Sequence, residues 1–308
     1  MIDEIIIAGA TATGKTELSI ELAKKIGGEI ISVDSRRCYK RLNIGTAKPD
    51  SKLLEEVTHH NVSVLDLREH DSAALFYKRA MQYRDEIKSR GKKVIYCGGS
   101  TLHLQSLLQP LDDLPSADEN NLVRLAEMEK QRGLPKLFEL LQKKDPEYAG
   151  RMDGLNRQRI FRALDVWMQT GKPFSSFHLQ RSASLPENMA LFTLHRPRKE
   201  LHKRINHRTD QMLEMGFIEE VKGILADGYS PRLQSLQTVG YREAIAYLNG
   251  EISRSEMVEK MKTSTRRYAK RQITWMKRWP FAIPLNVHGK PLEEIIDSIL
   301  QVLREGGL

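Results

Sequence analysis

The segment GATATGKT, residues 9–16, has the residue types and the spacing of a phosphate-binding loop. It follows the apolar run of residues 5–8 and opens a helical pattern that includes Leu18 and Leu22. Loop glycines let backbone N–H groups turn towards an anion, and the N-terminus of the next helix adds positive potential. Lys15 would reach the outer phosphates, and the Thr16 hydroxyl could ligate Mg²⁺. The predicted phosphate site comprises Gly9, Ala10, Thr11, Ala12, Thr13, Gly14, Lys15 and Thr16.

A carboxylate, Asp34, ends the next apolar segment, EIISVD. In an open parallel α/β sheet the carboxyl ends of the strands face the ligand crevice, so Asp34 should lie where a second substrate binds. The segment KKVIYCGGS, where an ATPase would carry an Asp for Mg²⁺, ends in glycines instead. A kinase would use Asp34 to take a proton from an acceptor hydroxyl. These residues alone leave a water-activating ATPase and a small-molecule or nucleotide kinase open.

The elements that must position these residues alternate between strand and helix over the first hundred residues. Strands are predicted for EIIIA, EIISVD, NVSVLDL and KKVIYCGG, and a helix for residues 73–87. This order indicates an α/β fold, a P-loop NTPase-like parallel sheet flanked by helices.

The pattern changes after the Pro- and Asp-rich segment QPLDDLPSAD. Amphipathic helices are predicted for residues 121–131, 135–143 and 158–170, and the next strand is MALFTL, residues 189–194. We therefore expect an all-helical insertion domain over residues 112–188, within a catalytic core of residues 1–111 and 189–308. A strand in FAIPLNV and a helix over residues 292–303 would complete the core.

Composition limits the class of protein. The 308 residues carry a formal net charge of +9, with a sequence pI near 9.4, which favours a polyanionic partner where the basic residues cluster. Cys38 and Cys97 are far apart and lack a metal-ligand spacing, so reduced thiols are expected. No apolar stretch approaches membrane-spanning length, and we expect a cytoplasmic protein without a membrane partner.

Several further segments resemble the tRNA dimethylallyltransferase family, the tRNA isopentenyltransferases. They are DSRRCYKRLNIGTAKP from Asp34, HH at 59 and 60, GGSTLHLQ, QRIFRALDV, TGKP, GYREAI and TRRYAKRQITW. The resemblance implies transfer of a dimethylallyl group from its diphosphate to the exocyclic amine of the adenosine 3′-adjacent to a tRNA anticodon. The phosphate loop and Mg²⁺ would then hold the leaving diphosphate, and Asp34 would remove the amine proton. The implied partners are dimethylallyl diphosphate and the tRNA anticodon stem-loop, and a monomer is expected.

The family pattern implies further site residues. Ser100, where relatives carry Thr, would be a catalytic hydroxyl, although a Ser after two glycines is also an ordinary helix N-cap. Arg198 and Arg204 would clamp the diphosphate, a task that suits guanidinium geometry. Target recognition would fall to Asp34, Ser35, Arg36 and Arg37, and tRNA contact to Gln158, Arg159 and Arg162.

The segment TRRYAKRQITWMKRW contains no acidic residue. At helical spacing one stripe of this segment, which we expect to face the core, comprises Tyr268, Gln272, Trp275 and Trp279, and basic residues flank that stripe. We expect this basic face to contact tRNA phosphates, the alternative being a solvated helix. Its predicted contact residues are Arg267, Lys270 and Arg271.

The sequence departs from the family pattern at several positions. Relatives usually carry Gln where this chain has Arg37 and Asp where it has Asn43, and they favour Gly and Tyr where it has Thr101 and His103. Arg37 would place a cation beside Asp34. A kinase would turn over ATP without needing the basic helix, and an adenylate isopentenyltransferase acting on free nucleotides would dispense with the tRNA contacts.

Overall fold

The computed structural model describes residues 2–109, 114–177 and 183–306. The chain divides into two compact units, one of residues 1–109 and 183–308 and the other of residues 110–182. The predicted insertion, 112–188, overlaps the second unit, but residues 183–188 belong to the first. The reason is local, because Ser184 N–H donates to the Leu108 carbonyl (3.2 Å) and Leu185 packs against the core of the first unit.

Six parallel strands form the sheet of the first unit. They are β1 (Glu4–Gly9), β2 (Gly28–Val33), β3 (His59–His60), β4 (Lys93–Gly98), β5 (Met189–His195) and β6 (Ile283–Asn286). Their order across the sheet is β3-β2-β4-β1-β5-β6. The central strand β1 pairs with β4 on one side and β5 on the other, so the phosphate loop leaves the middle of the sheet.

The helices predicted after the phosphate loop and over residues 73–87 and 292–303 are confirmed among the helices of the first unit. The helices of this unit are α1 (Lys15–Ile26), α2 (Ser51–Glu56), α3 (Ala73–Ser89), α4 (Thr101–Leu108), α8 (Arg198–Glu214), α9 (Phe217–Ala226), α10 (Tyr241–Leu248), α11 (Arg254–Met276) and α12 (Leu292–Glu305). The numbers α5 to α7 denote the helices of the second unit, which lie between α4 and α8 in the chain.

The two faces of the sheet are both covered, as expected for a parallel sheet. Alternate residues of β1 point to opposite faces: Ile5 and Ile7 pack with α1 and α12, whereas Ile6 packs with α3 and α4. All of these β1 side chains are fully buried. Burial on both faces explains why β1 reads as a continuous apolar run.

The strand predicted for NVSVLDL is wrong. The strand β3 is short and ends at His60, and the following residues form bends and turns. Asn61 (φ 59°) and Ser63 (φ 55°) adopt left-handed backbone conformations, which a strand does not accommodate. Asn61 instead donates from its amide to the Ser32 carbonyl (2.8 Å), so this segment caps the edge of the sheet.

The second unit is helical. Its helices are α5 (Glu119–Lys144), α6 (Pro146–Gly150) and α7 (Arg157–Thr170), followed by a 3₁₀ turn, Phe174–Phe177. Gly133 (φ 77°, ψ 160°) interrupts α5, which agrees with the two helices predicted there. Leu125, Leu141 and Leu164 lie in a hydrophobic core of the unit's own.

Candidate active site

The phosphate loop, residues 9–16, joins β1 to α1. Gly14 adopts a left-handed conformation (φ 103°), and a Cβ on Gly9 would lie 2.9 Å from Thr13 Oγ1, so glycine is required at both positions. Lys15 Nζ donates to the Ala10 carbonyl (2.7 Å), which also accepts from Thr13 Oγ1 (2.9 Å). Burial lowers the pKa of Lys15 to about 8, so the ammonium form predominates at neutral pH.

Gln272 of α11 ties the phosphate loop to the end of β4. Its Oε1 accepts from Thr11 N–H (2.9 Å) and its Nε2 donates to the Gly99 carbonyl (2.7 Å). The side chain is buried, and a Cβ on Gly99 would lie 2.4 Å from Gln272 Nε2. The sequence interpretation placed Gln272 on a core-facing stripe without this role, since 261 residues separate it from Thr11.

Asp34 directly follows β2, at the same edge of the sheet as the phosphate loop. Its Oδ1 accepts from the backbone N–H groups of Arg36 (2.9 Å) and Arg37 (3.3 Å). Burial raises the pKa of Asp34, but the Arg37 guanidinium and these two N–H groups outweigh it, and the pKa lies below its usual value. The carboxylate is therefore ionised at neutral pH and able to accept a proton.

Arg37 is held between Asp34 and the phosphate loop. Its Nη1 donates to Thr16 Oγ1 (3.3 Å), its Nη2 to the Ala47 carbonyl (2.8 Å), and its Nε lies 3.9 Å from Asp34 Oδ2. The cation expected beside Asp34 thus also contacts the hydroxyl that was predicted to ligate Mg²⁺.

Two cavities meet at Asp34. The larger, of about 910 Å³, is lined by the phosphate loop from Thr11 to Thr16, except for Thr13, and by Gly98 and Gly99. The smaller, of about 360 Å³, is lined by Ser35, Arg36 and residues 237–240. Residues shared by both linings mark the boundary between the cavities: Thr11, Asp34, Thr46, Arg208, Met212 and Tyr268.

Arginines of α8 and of the segment before it approach the phosphate loop. Arg204 Nε donates to the Ala12 carbonyl (2.9 Å), and Arg196 Nε donates to the Thr13 carbonyl (2.9 Å). Arg198, predicted to clamp diphosphate, is exposed at the first residue of α8 and is outside the described linings of both cavities. Arg204, six residues further along α8, lines the larger cavity.

Arg208, which the sequence interpretation missed, lies between the two cavities. Burial, followed by the charges of Arg37 and Arg204, lowers its pKa to about 10, while the charge of Asp34 opposes the change. Its signal in the sequence was the spacing of four residues from Arg204, which puts both side chains on one helix face. Positive charge predominates in the lining of the larger cavity, which has five Lys and Arg side chains (Lys15, Arg37, Lys48, Arg204 and Arg208) against three acidic ones (Glu17, Asp34 and Asp50).

Ser100 lies at the same sheet edge as Asp34. Its backbone N–H and that of Gly99 both donate to the Val33 carbonyl (3.3 Å each), the residue before Asp34. Ser100 is the N-cap residue of α4, yet within the described residues its hydroxyl makes no capping bond and instead contacts His103 Nδ1 (2.9 Å). Gly98 and Gly99 line the larger cavity, and the half-buried Ser100 lies immediately beyond them.

Comparisons with known proteins agree with this geometry. The model of the IPP transferase family matches residues 37–279. The tRNA dimethylallyltransferase of Thermotoga petrophila is 38% identical over 97% of both chains, and tRNA dimethylallyltransferase 2 of Geotalea uraniireducens is 42% identical over 89% of both. The chain belongs to the IPP transferase family.

Solved structures extend the similarity to the fold. A tRNA isopentenylpyrophosphate transferase of Staphylococcus epidermidis matches with a TM-score of 0.73 and 36% identity, over 99% of both chains. A eukaryotic dimethylallyltransferase acting on tRNA matches with a TM-score of 0.82 and 26% identity, over 99% of this chain and 80% of that one. The parallel sheet and its phosphate loop are therefore the family's P-loop fold.

The Mg²⁺ site predicted at the phosphate loop has one candidate protein ligand, the Thr16 hydroxyl. The described residues contain no group of three or more His, Cys, Asp or Glu side chains able to hold a metal ion. Mg²⁺ in phosphate sites usually keeps several waters and binds one or two protein groups together with phosphate oxygens. The Thr16 hydroxyl fits that arrangement, provided that the Arg37 guanidinium releases it.

The basic residues predicted to contact tRNA lie on exposed helix surface. Arg267, Lys270 and Arg271 are exposed on α11 and line a shallow groove with Trp275 and Arg278. The Arg278 guanidinium carbon lies 4.6 Å from the centroid of the Trp275 ring. Of the predicted core-facing stripe, Gln272 and Trp279 are buried, whereas Tyr268 and Trp275 are half-buried.

The second unit carries the remaining predicted tRNA residues on α7. Gln158 and Arg159 are exposed in its first turn. Arg162 is half-buried and holds its own unit together, since its Nη1 donates to Asp165 (3.1 Å) and its Nη2 to the Pro115 carbonyl (2.6 Å).

None of the helices in the described ranges 2–109, 114–177 and 183–306 has the length and apolar character needed to span a membrane.

Proposed function

We propose that the chain transfers a dimethylallyl group from dimethylallyl diphosphate to the exocyclic amine of the adenosine 3′-adjacent to the anticodon in tRNA. The observation that carries the proposal is the position of Asp34, an ionised carboxylate at the junction of two cavities, one of which is lined by the phosphate loop. A transferase with two substrates needs this arrangement, because the donor and the acceptor must meet at the base.

The larger cavity would hold the diphosphate. Backbone N–H groups of the loop, Lys15, Arg204 and Arg208 face the position at which negative charge grows as the carbon–oxygen bond breaks. Mg²⁺, when bound, would add positive charge to the leaving diphosphate, with Thr16 as its protein ligand. The excess of cations in this cavity supports a polyanionic leaving group over a neutral one.

Asp34 would act as the base. The adenine amine is a poor nucleophile, because its lone pair is delocalised into the ring, and removal of its proton as the new bond forms lowers the barrier. The amine nitrogen bonds to the first carbon of the dimethylallyl group, the carbon–oxygen bond to diphosphate breaks, and the proton goes to Asp34. Since the pKa of Asp34 is lowered, the carboxylate is available at neutral pH.

The smaller cavity would receive the adenosine. A base within an anticodon loop is stacked, so the enzyme must turn it out to reach its amine. Ser35 and Arg36 line this cavity, and Arg271 extends from its lining to the basic groove of α11, where the tRNA backbone would run. The exposed Gln158 and Arg159 of the second unit would contact the anticodon stem-loop. We infer a cytoplasmic monomer that acts on tRNA.

The test is mass spectrometry of nucleosides digested from unmodified tRNA after incubation with dimethylallyl diphosphate, Mg²⁺ and the enzyme. One adenosine beside the anticodon should gain the mass of a dimethylallyl group in place of a hydrogen. Asp34→Asn keeps the size of the side chain and should lower the single-turnover rate by about a hundredfold or more, with tRNA affinity nearly unchanged. Phosphate transfer from ATP without prenylation would favour a kinase, and prenylation of free AMP alone would favour an adenylate isopentenyltransferase.

A further inference from the structure

A chain of polar side chains runs from Ser100 into the protein, away from the cavities. Ser100 Oγ lies 2.9 Å from His103 Nδ1, and His103 Nε2 lies 3.8 Å from Asp71 Oδ2. The His103 and Asp71 side chains are 7% and 3% exposed, so both ends of the imidazole are inside the protein. Within the described residues, the buried His103 Nε2 makes no hydrogen bond, and the carboxylate of Asp71 faces it.

Asp71 is held rigidly and is charged. Its Oδ1 accepts from Arg79 Nη2 (2.9 Å), and its backbone N–H donates to Gln234 Oε1 (3.0 Å). Burial raises the pKa of Asp71, but His103 and Arg79 outweigh burial and hold the pKa below its usual value. The Cys38 thiol also donates to Asp71 Oδ2 (3.6 Å). Burial and Asp71 raise the pKa of Cys38, so the thiol stays neutral.

This carboxylate determines which ring nitrogen of neutral His103 carries the hydrogen. A negative charge facing Nε2 favours hydrogen on Nε2, which leaves Nδ1 as an acceptor. Nδ1 then accepts the hydrogen of the Ser100 hydroxyl. The Phe76 ring, 4.6 Å from the imidazole between centroids, limits rotation of His103. The oxygen of Ser100 is thereby left with its lone pairs directed away from His103.

We propose that the buried Asp71–His103 pair is a positioning device that presents the lone pairs of the Ser100 hydroxyl to the adenine amine. The inference rests on the proposed function and deepens it. Ser100 adjoins Asp34 through the shared Val33 carbonyl, so its oxygen can accept a hydrogen bond from the amine while Asp34 removes the proton.

The decisive experiment measures the single-turnover rate of tRNA prenylation and the KM for dimethylallyl diphosphate. His103→Leu removes the acceptor of the Ser100 hydroxyl hydrogen and should lower the rate by about tenfold to a hundredfold, with the KM unchanged. His103→Asn retains a polar group near the Nδ1 position that can accept this hydrogen, and it should recover most of the lost rate. Asp71→Asn removes the charge that favours hydrogen on Nε2 and should lower the rate by about threefold to tenfold.

A matched control is His70→Asn, which changes an exposed histidine next to Asp71 and should leave the rate unchanged. The double variant Ser100→Ala/His103→Leu should be no slower than Ser100→Ala, because His103 acts only through the hydroxyl.

A wild-type rate in His103→Leu would overturn the proposal, and so would a His103→Asn rate no higher than that of His103→Leu. A wild-type rate in Asp71→Asn would overturn it even if His103→Leu fails to fold. A wild-type enzyme that does not prenylate tRNA would overturn the proposed function itself, and this inference with it.

Discussion

Gln272 offers a sharp test of how the site is held together, because one side chain connects the phosphate loop to the end of β4. Gln272→Met keeps the length of the side chain and removes both hydrogen bonds. The buried Gly99 carbonyl and the half-buried Thr11 N–H then lose their partner. A buried polar group without a hydrogen-bond partner lowers the free energy of unfolding by about 1–3 kcal/mol. The cost for the Thr11 N–H should be near the lower value, because it lies at the edge of a cavity. The expected destabilisation of the first unit is about 2–4 kcal/mol.

Hydrogen exchange followed by mass spectrometry can assign this destabilisation to the first unit. Amides of the fully buried β1 exchange when the first unit opens, so their rates should rise about 30- to 1000-fold, at tenfold for each 1.4 kcal/mol. Peptides from the second unit serve as an internal reference and should not change.

Gln301→Met is the matched control, since Gln301 is exposed on α12 and its amide contacts only Glu305 among the described residues. The unfolding free energy of that variant should lie within about 0.5 kcal/mol of the wild-type value. If Gln272→Met also lies within that range, the two hydrogen bonds do not hold the loop, and the proposed coupling between α11 and the phosphate loop is incorrect.

Three further predictions concern the charges of the site. Burial lowers the pKa of Lys15 from 10.5 to about 8, so the unfolded chain binds more protons between those pH values and stability rises with pH across that window. Lys15→Met should therefore stabilise the ligand-free protein at pH 7, by about 2 kcal/mol given its partial exposure, and this advantage should disappear by pH 10.5 in urea titrations. Arg37→Gln should free the Thr16 hydroxyl and lower the Mg²⁺ concentration for half-maximal activity by about tenfold, and an unchanged Mg²⁺ titration would show that the guanidinium does not compete with the metal. Neutralising Arg267, Lys270 and Arg271 on the basic face of α11 should weaken the binding of cognate and non-cognate tRNA alike. The slope of log K against log salt should fall by about two to three units. An unchanged slope would show that this face is solvated and does not contact tRNA.

The fold was readable from the sequence because its determinants are local. The apolar runs of β1, β2 and β4 predict buried parallel strands, and the glycine spacing of residues 9–16 predicts the loop between β1 and α1. The rule that strand carboxyl ends face the ligand crevice was enough to bring Asp34 to the loop. The strand prediction for NVSVLDL was wrong for a local reason too. A hydrophobic pattern does not reveal left-handed backbone conformations such as those of Asn61 and Ser63.

The residues around Asp34 show where local patterns stop being informative. Periodicity places Arg198, Arg204 and Arg208 on one helix, but only the rotation of α8 over the loop decides that Arg204 and Arg208 face the cavities. Arg37 was recognisable as a departure from the family pattern, yet its hydrogen bond to Thr16 depends on the path of the chain after β2.

The amino-acid sequence by itself determined the order of the elements, the phosphate loop and the carboxylate opposite it, because each depends on residues within one or two turns or on a general rule of sheet topology. Only the tertiary structure decided that Gln272 meets Thr11 and that Asp71 faces His103. These contacts join elements far apart in the chain, and they depend on strand register, helix rotation and side-chain burial acting together. A shift of one residue in strand register would separate these partners. The contacts that hold the site together therefore exist only in the packed fold.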